Sequence, residues 1–129
     1  MKVDEVAKLI DGIILSGKNI LDKIDVKTAF AADLMSDVLA YVESDNNDVI
    51  LITGITNPQI VRTAEMLDIP VIIVARGKTV PNETIKLADE KGIIIISTKN
   101  IVFTTSGILY TNGIKPAKIK SRGESASSC

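Results

Sequence analysis

The chain has no histidine, no tryptophan and one cysteine, Cys129, the last of its 129 residues. Without His, and with one thiol at the terminus, the usual ligand sets of zinc, haem and iron–sulfur sites cannot be assembled. The Ser-His-Asp and Cys-His catalytic arrangements are excluded on the same ground, and so is a disulfide within the chain. Aromatics are scarce, two Phe and two Tyr, too few for a base-stacking platform. Long apolar runs are missing too. Asp4, Glu5 and Lys8 interrupt the first apolar stretch, so no signal peptide is expected. No run approaches the roughly 18 residues of a membrane span. The expectation is a cytoplasmic domain that meets neither nucleic acid nor membrane.

What is present is aliphatic. Hydrophobic residues make up 46% of the chain and mean hydropathy is +0.28, with Ile and Val supplying the excess. Such cores suit strands buried on both faces. Four stretches read as strands: DGIILSG (11–17), DVILITG (48–54), IPVIIVARG (69–77) and GIIIIST (92–98). Continuous β-branched runs ending in Gly or Thr predict parallel strands. A fifth, half-exposed strand is expected over 24–31, where Val26, Thr28 and Phe30 alternate with Lys27 and Ala29.

Helices are predicted between them, over 3–10, 34–42, 57–68, 82–92 and 100–113. Asn57 and Pro58 supply a favoured helix start. Asn82 is a candidate cap, and Gly92 a stop. The alternation predicts an α/β fold: a three-layer α/β/α domain whose sheet of about five strands is mainly parallel. Net charge is −1, so no overall field attracts polyanions. The charge is uneven, because Lys115, Lys118, Lys120 and Arg122 follow a body with a net charge of −4. AKIKSRGESASSC lacks periodicity and apolar mass. The predicted boundaries are a domain over 1–114 and a basic, disordered tail over 115–129.

Parallel sheets place ligands at the carboxyl ends of their strands. Those ends read Thr53-Gly54-Ile55-Thr56-Asn57, Arg76-Gly77-Lys78-Thr79 and Ser97-Thr98-Lys99. Thr53, Gly54, Thr56, Asn57, Arg76, Gly77, Lys78 and Thr98 are therefore candidate binders of a small anion, phosphate or nucleotide-like. The competing reading is ordinary turn chemistry. Gly77-Lys78-Thr79 is not a P-loop, because that spacing needs a glycine where Ile72 stands.

AADLMSDVLA (31–40) sets two carboxylates four residues apart. On a helix Asp33 and Asp37 would share a face with Ser36. Asp33 is expected to be the N-cap, and Asp37 to lie in the first turn. Asp33, Ser36 and Asp37 are also a candidate contact face. A catalytic alternative remains: a small enzyme acting on a phosphorylated substrate, with Asp33 and Asp37 as base or Mg²⁺ ligands and Arg76 and Lys78 on the phosphate.

From AADLMSDVLA through VILITGITNPQIVRTAEMLDIPVIIVARGKTVPNETIKLADEKGIIIIST to GILYTNGI, the chain resembles stand-alone members of the DRTGG domain family, up to about residue 114. It departs at the two turns that name the family: Gly54-Ile55-Thr56 stands in the Gly-Asp-Arg position and Ala75-Arg76-Gly77 in the Thr-Gly-Gly position. The resemblance implies a three-layer α/β domain similar to the N-terminal domain of HPr kinase/phosphorylase. It implies a regulatory or dimer-forming module of bacteria, with catalysis elsewhere. Relatives sit beside CBS domains in some inorganic pyrophosphatases and ahead of some phosphate acetyltransferases. Stand-alone members resemble accessory proteins of anaerobes, sometimes tied to iron-only hydrogenase systems. The resulting expectation is a homodimeric, non-catalytic regulatory module without metal or cofactor. A ligand-free module docking onto a hydrogenase-system or other protein partner is the further alternative.

Overall fold

The computed structural model describes residues 1–43 and 46–120. The last part of the predicted tail, 121–129, lies outside the described residues. The elements in chain order are α1 (Val3–Leu9), β1 (Ile13–Ile14), a 3-10 segment (Lys18–Lys23), β2 (Thr28–Ala31), α2 (Met35–Tyr41), β3 (Val49–Thr53), α3 (Gln59–Met66), β4 (Val71–Val74), α4 (Asn82–Lys91), β5 (Ile94–Ser97), α5 (Val102–Thr111) and β6 (Lys115–Pro116).

They form one six-stranded sheet of order β1-β5-β4-β3-β2-β6. The expected α/β fold with a mainly parallel sheet is what forms. Every pairing is parallel except β1 with β5. The registers stack Ile50, Val71 and Ile94 in one row and Leu51, Ile72 and Ile95 in the next. Because side chains alternate, the two rows face opposite ways. Leu51, Ile72 and Ile95 pack against α2, α3 and α4, through Val38, Ile60, Ala64 and Ala88. Ile50, Ile52, Ile73 and Ile96 pack against α1 and α5, through Val6, Ile10 and Leu109. Each fully buried Ile contributes roughly 1.5–3 kcal/mol relative to exposure, which is why these runs take the centre of the sheet.

The first stretch differs from the expectation. Residues 11–17 do not form a buried parallel strand. β1 is a two-residue antiparallel edge pairing on β5, and Ile13 is 66% exposed. The ladder ends because Ser16 replaces backbone with side chain. Its buried hydroxyl donates to the Ile93 carbonyl (2.9 Å) and accepts from Ile95 N–H (2.8 Å). Gly17 then turns in the left-handed region (φ 73°), and a Cβ there would lie 2.6 Å from Ile94 Cγ1 and 3.2 Å from Ile94 Cα.

Two other boundaries shift. Lys18–Lys23 forms a 3-10 segment where no element was expected. Residues 115–120, assigned by composition to the tail, are packed: β6 pairs with β2, Ala117 is buried, and Ile119 bridges Val42. Removing the Ser16 hydroxyl would leave a buried donor and acceptor unpaired. Ser16→Ala should therefore cost about 1–3 kcal/mol, read as a lower urea midpoint with an unchanged m-value. Gly17→Ala should cost at least as much, through both conformation and overlap with Ile94.

Candidate functional site

From β2 to β5 the chain advances one strand at a time. Right-handed crossovers in one direction put their helices on one face, and α2, α3 and α4 lie there. From β5 the chain must return across the sheet to reach β6 beside β2, so α5 takes the opposite face. β4 and β5 are neighbours whose outgoing connections leave for opposite faces. That is the switch point at which open α/β sheets form a crevice beyond their carboxyl ends. The segments that meet there are 75–80 and 98–101.

The two connections are tied to each other by backbone. Arg76 N–H donates to the Asn100 carbonyl and Gly77 N–H to the Thr98 carbonyl, both at 2.8 Å. To aim those groups at the neighbouring loop, both residues turn left-handed, Arg76 at φ 70° and Gly77 at φ 65°. For a residue with a Cβ this conformation costs roughly 1–2 kcal/mol, and such strain concentrates at functional sites. Lys99 lies against Gly77, its Cα 3.8 Å from where a Cβ would be. Arg76, Lys78 and Lys99 are all exposed. Among the described residues none of the three side chains has an ion pair or hydrogen bond. Lys99 was not among the candidates; its place after the fourth predicted strand was the available signal.

The candidates at the end of β3 have a different role. The Asp33 carboxylate accepts Gly54 N–H at 2.7 Å and the Thr53 hydroxyl at 3.3 Å, and Thr53 Oγ1 accepts Ile55 N–H. Asn57 Oδ1 accepts Gln59 N–H (2.9 Å), so it does cap the start of α3, just ahead of the assigned first residue. The Thr56 carbonyl accepts the Thr84 hydroxyl. Thr98 Oγ1 donates to the Ile10 carbonyl and accepts Asn100 N–H. Thr53, Gly54 and Thr98, and Asn57 through its Oδ1, thus satisfy the turns themselves.

Asp33 is not the N-cap of α2. Leu34 occupies that position and no side chain caps the helix. Asp33 lies before the helix and reaches across to β3, because the Gly54 amide offers a tertiary donor that a local cap would forgo. It is therefore not on a helical face with Ser36 and Asp37, which are exposed on α2. Among the described residues no group of three or more acidic or Cys side chains could hold a metal ion. Asn82 likewise starts α4 without acting as its cap, a position held by Pro81, whereas Gly92 ends the helix left-handed as expected.

Asp33 and Arg76 both approach Gly54. A Cβ on Gly54 would lie 3.2 Å from Arg76 Nη2 and 3.4 Å from Asp33 Oδ1. An acceptor, a free guanidinium and a side-chain-free backbone therefore share one small surface. Asp33→Ala should cost about 1–2 kcal/mol, since a hydrogen bond to a charged group contributes roughly 1.5–3 kcal/mol and this one is partly exposed. Asp33→Asn should recover part of the loss, measured by urea unfolding.

The DRTGG domain model matches residues 5–116. No curated protein sequence matches the chain. Among solved structures, the chain is similar to the CBS and DRTGG domains of the regulatory region of Clostridium perfringens pyrophosphatase, complexed with activator, diadenosine tetraphosphate. The TM-score is 0.69 at 18% identity, over 95% of this chain and 51% of that one. This chain therefore spans about half the length of that region. Among the described residues no helix is long and apolar enough to cross a membrane. With the family model matched over most of its length and the α/β fold shared, the chain belongs to the DRTGG domain family.

Proposed function

We propose that this protein is a non-catalytic, cytoplasmic regulatory module that senses a small anionic ligand and self-associates, in the service of a larger metabolic or redox system. The observation that carries the reading is the set of cations without an ion pair at the ends of β4 and β5, Arg76, Lys78 and Lys99, with Arg76 held left-handed by its bond to Asn100. Three positive charges on adjoining loops, only Arg76 of them near the Asp33 carboxylate, raise the local concentration of anions. A guanidinium adds planar, two-pronged recognition of phosphate or carboxylate. Thr53, Gly54, Thr56, Asn57, Gly77 and Thr98 build the frame, and the cations make the contact. The similar pyrophosphatase region is complexed with a nucleotide activator, which supports a phosphorylated ligand here. The carboxylate chemistry of the alternative enzyme is disfavoured because the Asp33 carboxylate is already engaged with Gly54 and Thr53.

A second reading, a ligand-free interaction module, is favoured by α5, where Phe103 is 83% and Tyr110 66% exposed. The two separate in a thermal-shift panel of inorganic phosphate, pyrophosphate and adenosine mono- to polyphosphates. A ligand at 100 times its Kd should add about 2.7 kcal/mol of stability, and the shift should shrink with salt. Arg76→Gly should relieve the backbone strain and hold or raise the unliganded Tm while abolishing the shift. A flat panel, or a shift that Arg76→Gly and Lys78→Ala leave intact, rejects this site.

A further inference from the structure

The turn after β3 holds a glycine that its backbone does not require. Among the described residues the glycines with positive φ are Gly17, Gly77, Gly92 and Gly113, so Gly54 has a conformation open to other residues. The reason for glycine here is space. A Cβ would lie 3.2 Å from Arg76 Nη2, 3.4 Å from Arg76 Nε and 3.4 Å from Asp33 Oδ1. A guanidinium from one side and a carboxylate from the other thus approach one point over the Gly54 backbone. Among the described residues the two form no ion pair with each other.

The carboxylate is held in place by one oxygen and leaves the other open. Asp33 Oδ1 accepts Gly54 N–H and the Thr53 hydroxyl, while Oδ2 accepts no hydrogen bond within the chain. A carboxylate has room for about four donors, so half of this one is unused. What fits between Asp33 and Arg76 follows from donor and acceptor chemistry. An ionised phosphate oxygen only accepts, which suits Arg76 and is opposed by Asp33. An ammonium only donates, and meets the reverse. An amide does both, but through two separate atoms. A hydroxyl donates and accepts through one oxygen, as a single point reached by both side chains demands.

Parallel pairing extends the pattern across the sheet. The strand order places Asp33, Gly54, Arg76 and Lys99 after β2, β3, β4 and β5, which are successive neighbours, each roughly 4.8 Å from the next. The acceptor stands at the β2 end of this row, and the positive charge at β4 and β5. We propose that the ligand of the anion site is a phosphorylated sugar, free or within a nucleotide. A ring hydroxyl donates to Asp33 Oδ2 and accepts from Arg76 over Gly54, and the phosphate lies toward Lys78 and Lys99. The proposal rests on the anion reading above and names its ligand class. A sugar phosphate carries hydroxyls at one end and negative charge at the other, in the order that the strand ends present. The carboxylate also acts by exclusion, since it opposes an anion that brings no donor.

The test is isothermal titration calorimetry of the full chain with adenosine diphosphate, its dideoxy analogue lacking both ribose hydroxyls, ribose 5-phosphate and pyrophosphate. The first two share base and charge, so their difference reads the hydroxyls. The diphosphate should bind at least about 10-fold more tightly than the analogue, the factor for a lost hydrogen bond to a charged group. Asp33→Asn keeps an acceptor for Gly54 N–H and removes the charge. It should bring that ratio near one, weaken ribose 5-phosphate and tighten pyrophosphate. A merely structural Asp33 would weaken all four ligands together, and that result overturns the proposal. Gly54→Ala fills the point with a methyl group and should also erase the ratio, so the proposal stays testable even where circular dichroism shows Asp33→Asn unfolded. Ribose 5-phosphate binding as tightly as the nucleotide supports a free sugar phosphate as the source, and tighter nucleotide binding supports a nucleotide. Phosphates that bind with no preference for hydroxyls overturn the proposal and spare the anion site. Binding of none of the four overturns both.

Discussion

Three central strands, β3, β4 and β5, are apolar on both faces, and each must therefore be covered twice. Much of the molecule answers that demand. Three consecutive crossovers carry α2, α3 and α4 onto one face, where they cover the sheet. The other face receives α1, α5 and the 3-10 segment, the last through Ile20 and Leu21. These leave an open apolar flank over β2 and β6 beside α5. The same demand forces the chain to reverse after β5. The reversal sends the connections leaving β4 and β5 to opposite faces, and the two loops, carrying Arg76 and Lys99, are joined by backbone at the strand ends. The open groove and the cationic strand ends are two consequences of one winding.

The polar residues at the strand ends divide by what the backbone requires of them. A buried turn must pair its amides and carbonyls, and Asp33, Thr53, Asn57 and Thr98 do so. Asp33 is instructive because it holds Gly54 N–H where an external anion would otherwise bind. The protein thus supplies its own anion at the Gly54 turn, with the Arg76 guanidinium beside it. In the proposed function, anion recognition therefore falls to side chains without a structural duty rather than to the glycine turn that looked suited to it. The backbone strain at Arg76 follows the same division: it serves the bonds across the crevice, while the guanidinium stays free.

Most of the architecture was legible because the core strands advertise themselves. VILIT, VIIV and IIIS are dominated by β-branched residues and bounded by turn residues, and no competing structure buries them as well. The helix starts at Asn57 and the stop at Gly92 follow local chemistry and were legible for that reason. What escaped depends on contacts distant in sequence. Ile13 and Ile14 look like a core strand, but the Ser16 hydroxyl, bonded to residues 77 and 79 positions away, ends the ladder. Asp33 looks like a cap until Gly54, 21 residues on, claims its carboxylate. Lys18–Lys23 has no periodicity to detect. Ala117 and Ile119 seemed too sparse for structure, yet they follow a pairing with β2 that no local pattern reveals. The candidate binders do lie at the carboxyl ends of the strands, as their positions in the sequence implied. Which of them remain free to bind was hidden, because freedom is a property of the hydrogen-bond network.

The proposed anion site and the open face of α5 are joined by a short stretch of chain. Asn100 accepts the Arg76 amide, Ile101 is the N-cap of α5, and the face of α5 begins at Phe103. Asn100 is further tied to the Ile10 carbonyl by its side chain, which also draws in the end of α1. An anion that pulls on Arg76 acts on a backbone bond whose acceptor lies one residue before that N-cap. Coupling between sites requires an element whose state both ligands bias, and under the proposed function the Arg76–Asn100 pair is the element placed to serve. Any influence of the anion on a contact made through α5 must then be matched by an equal influence of that contact on anion affinity. A regulatory module needs such a link between what it senses and what it touches, and in this fold the reversal at β5 brings the two within a few residues of each other.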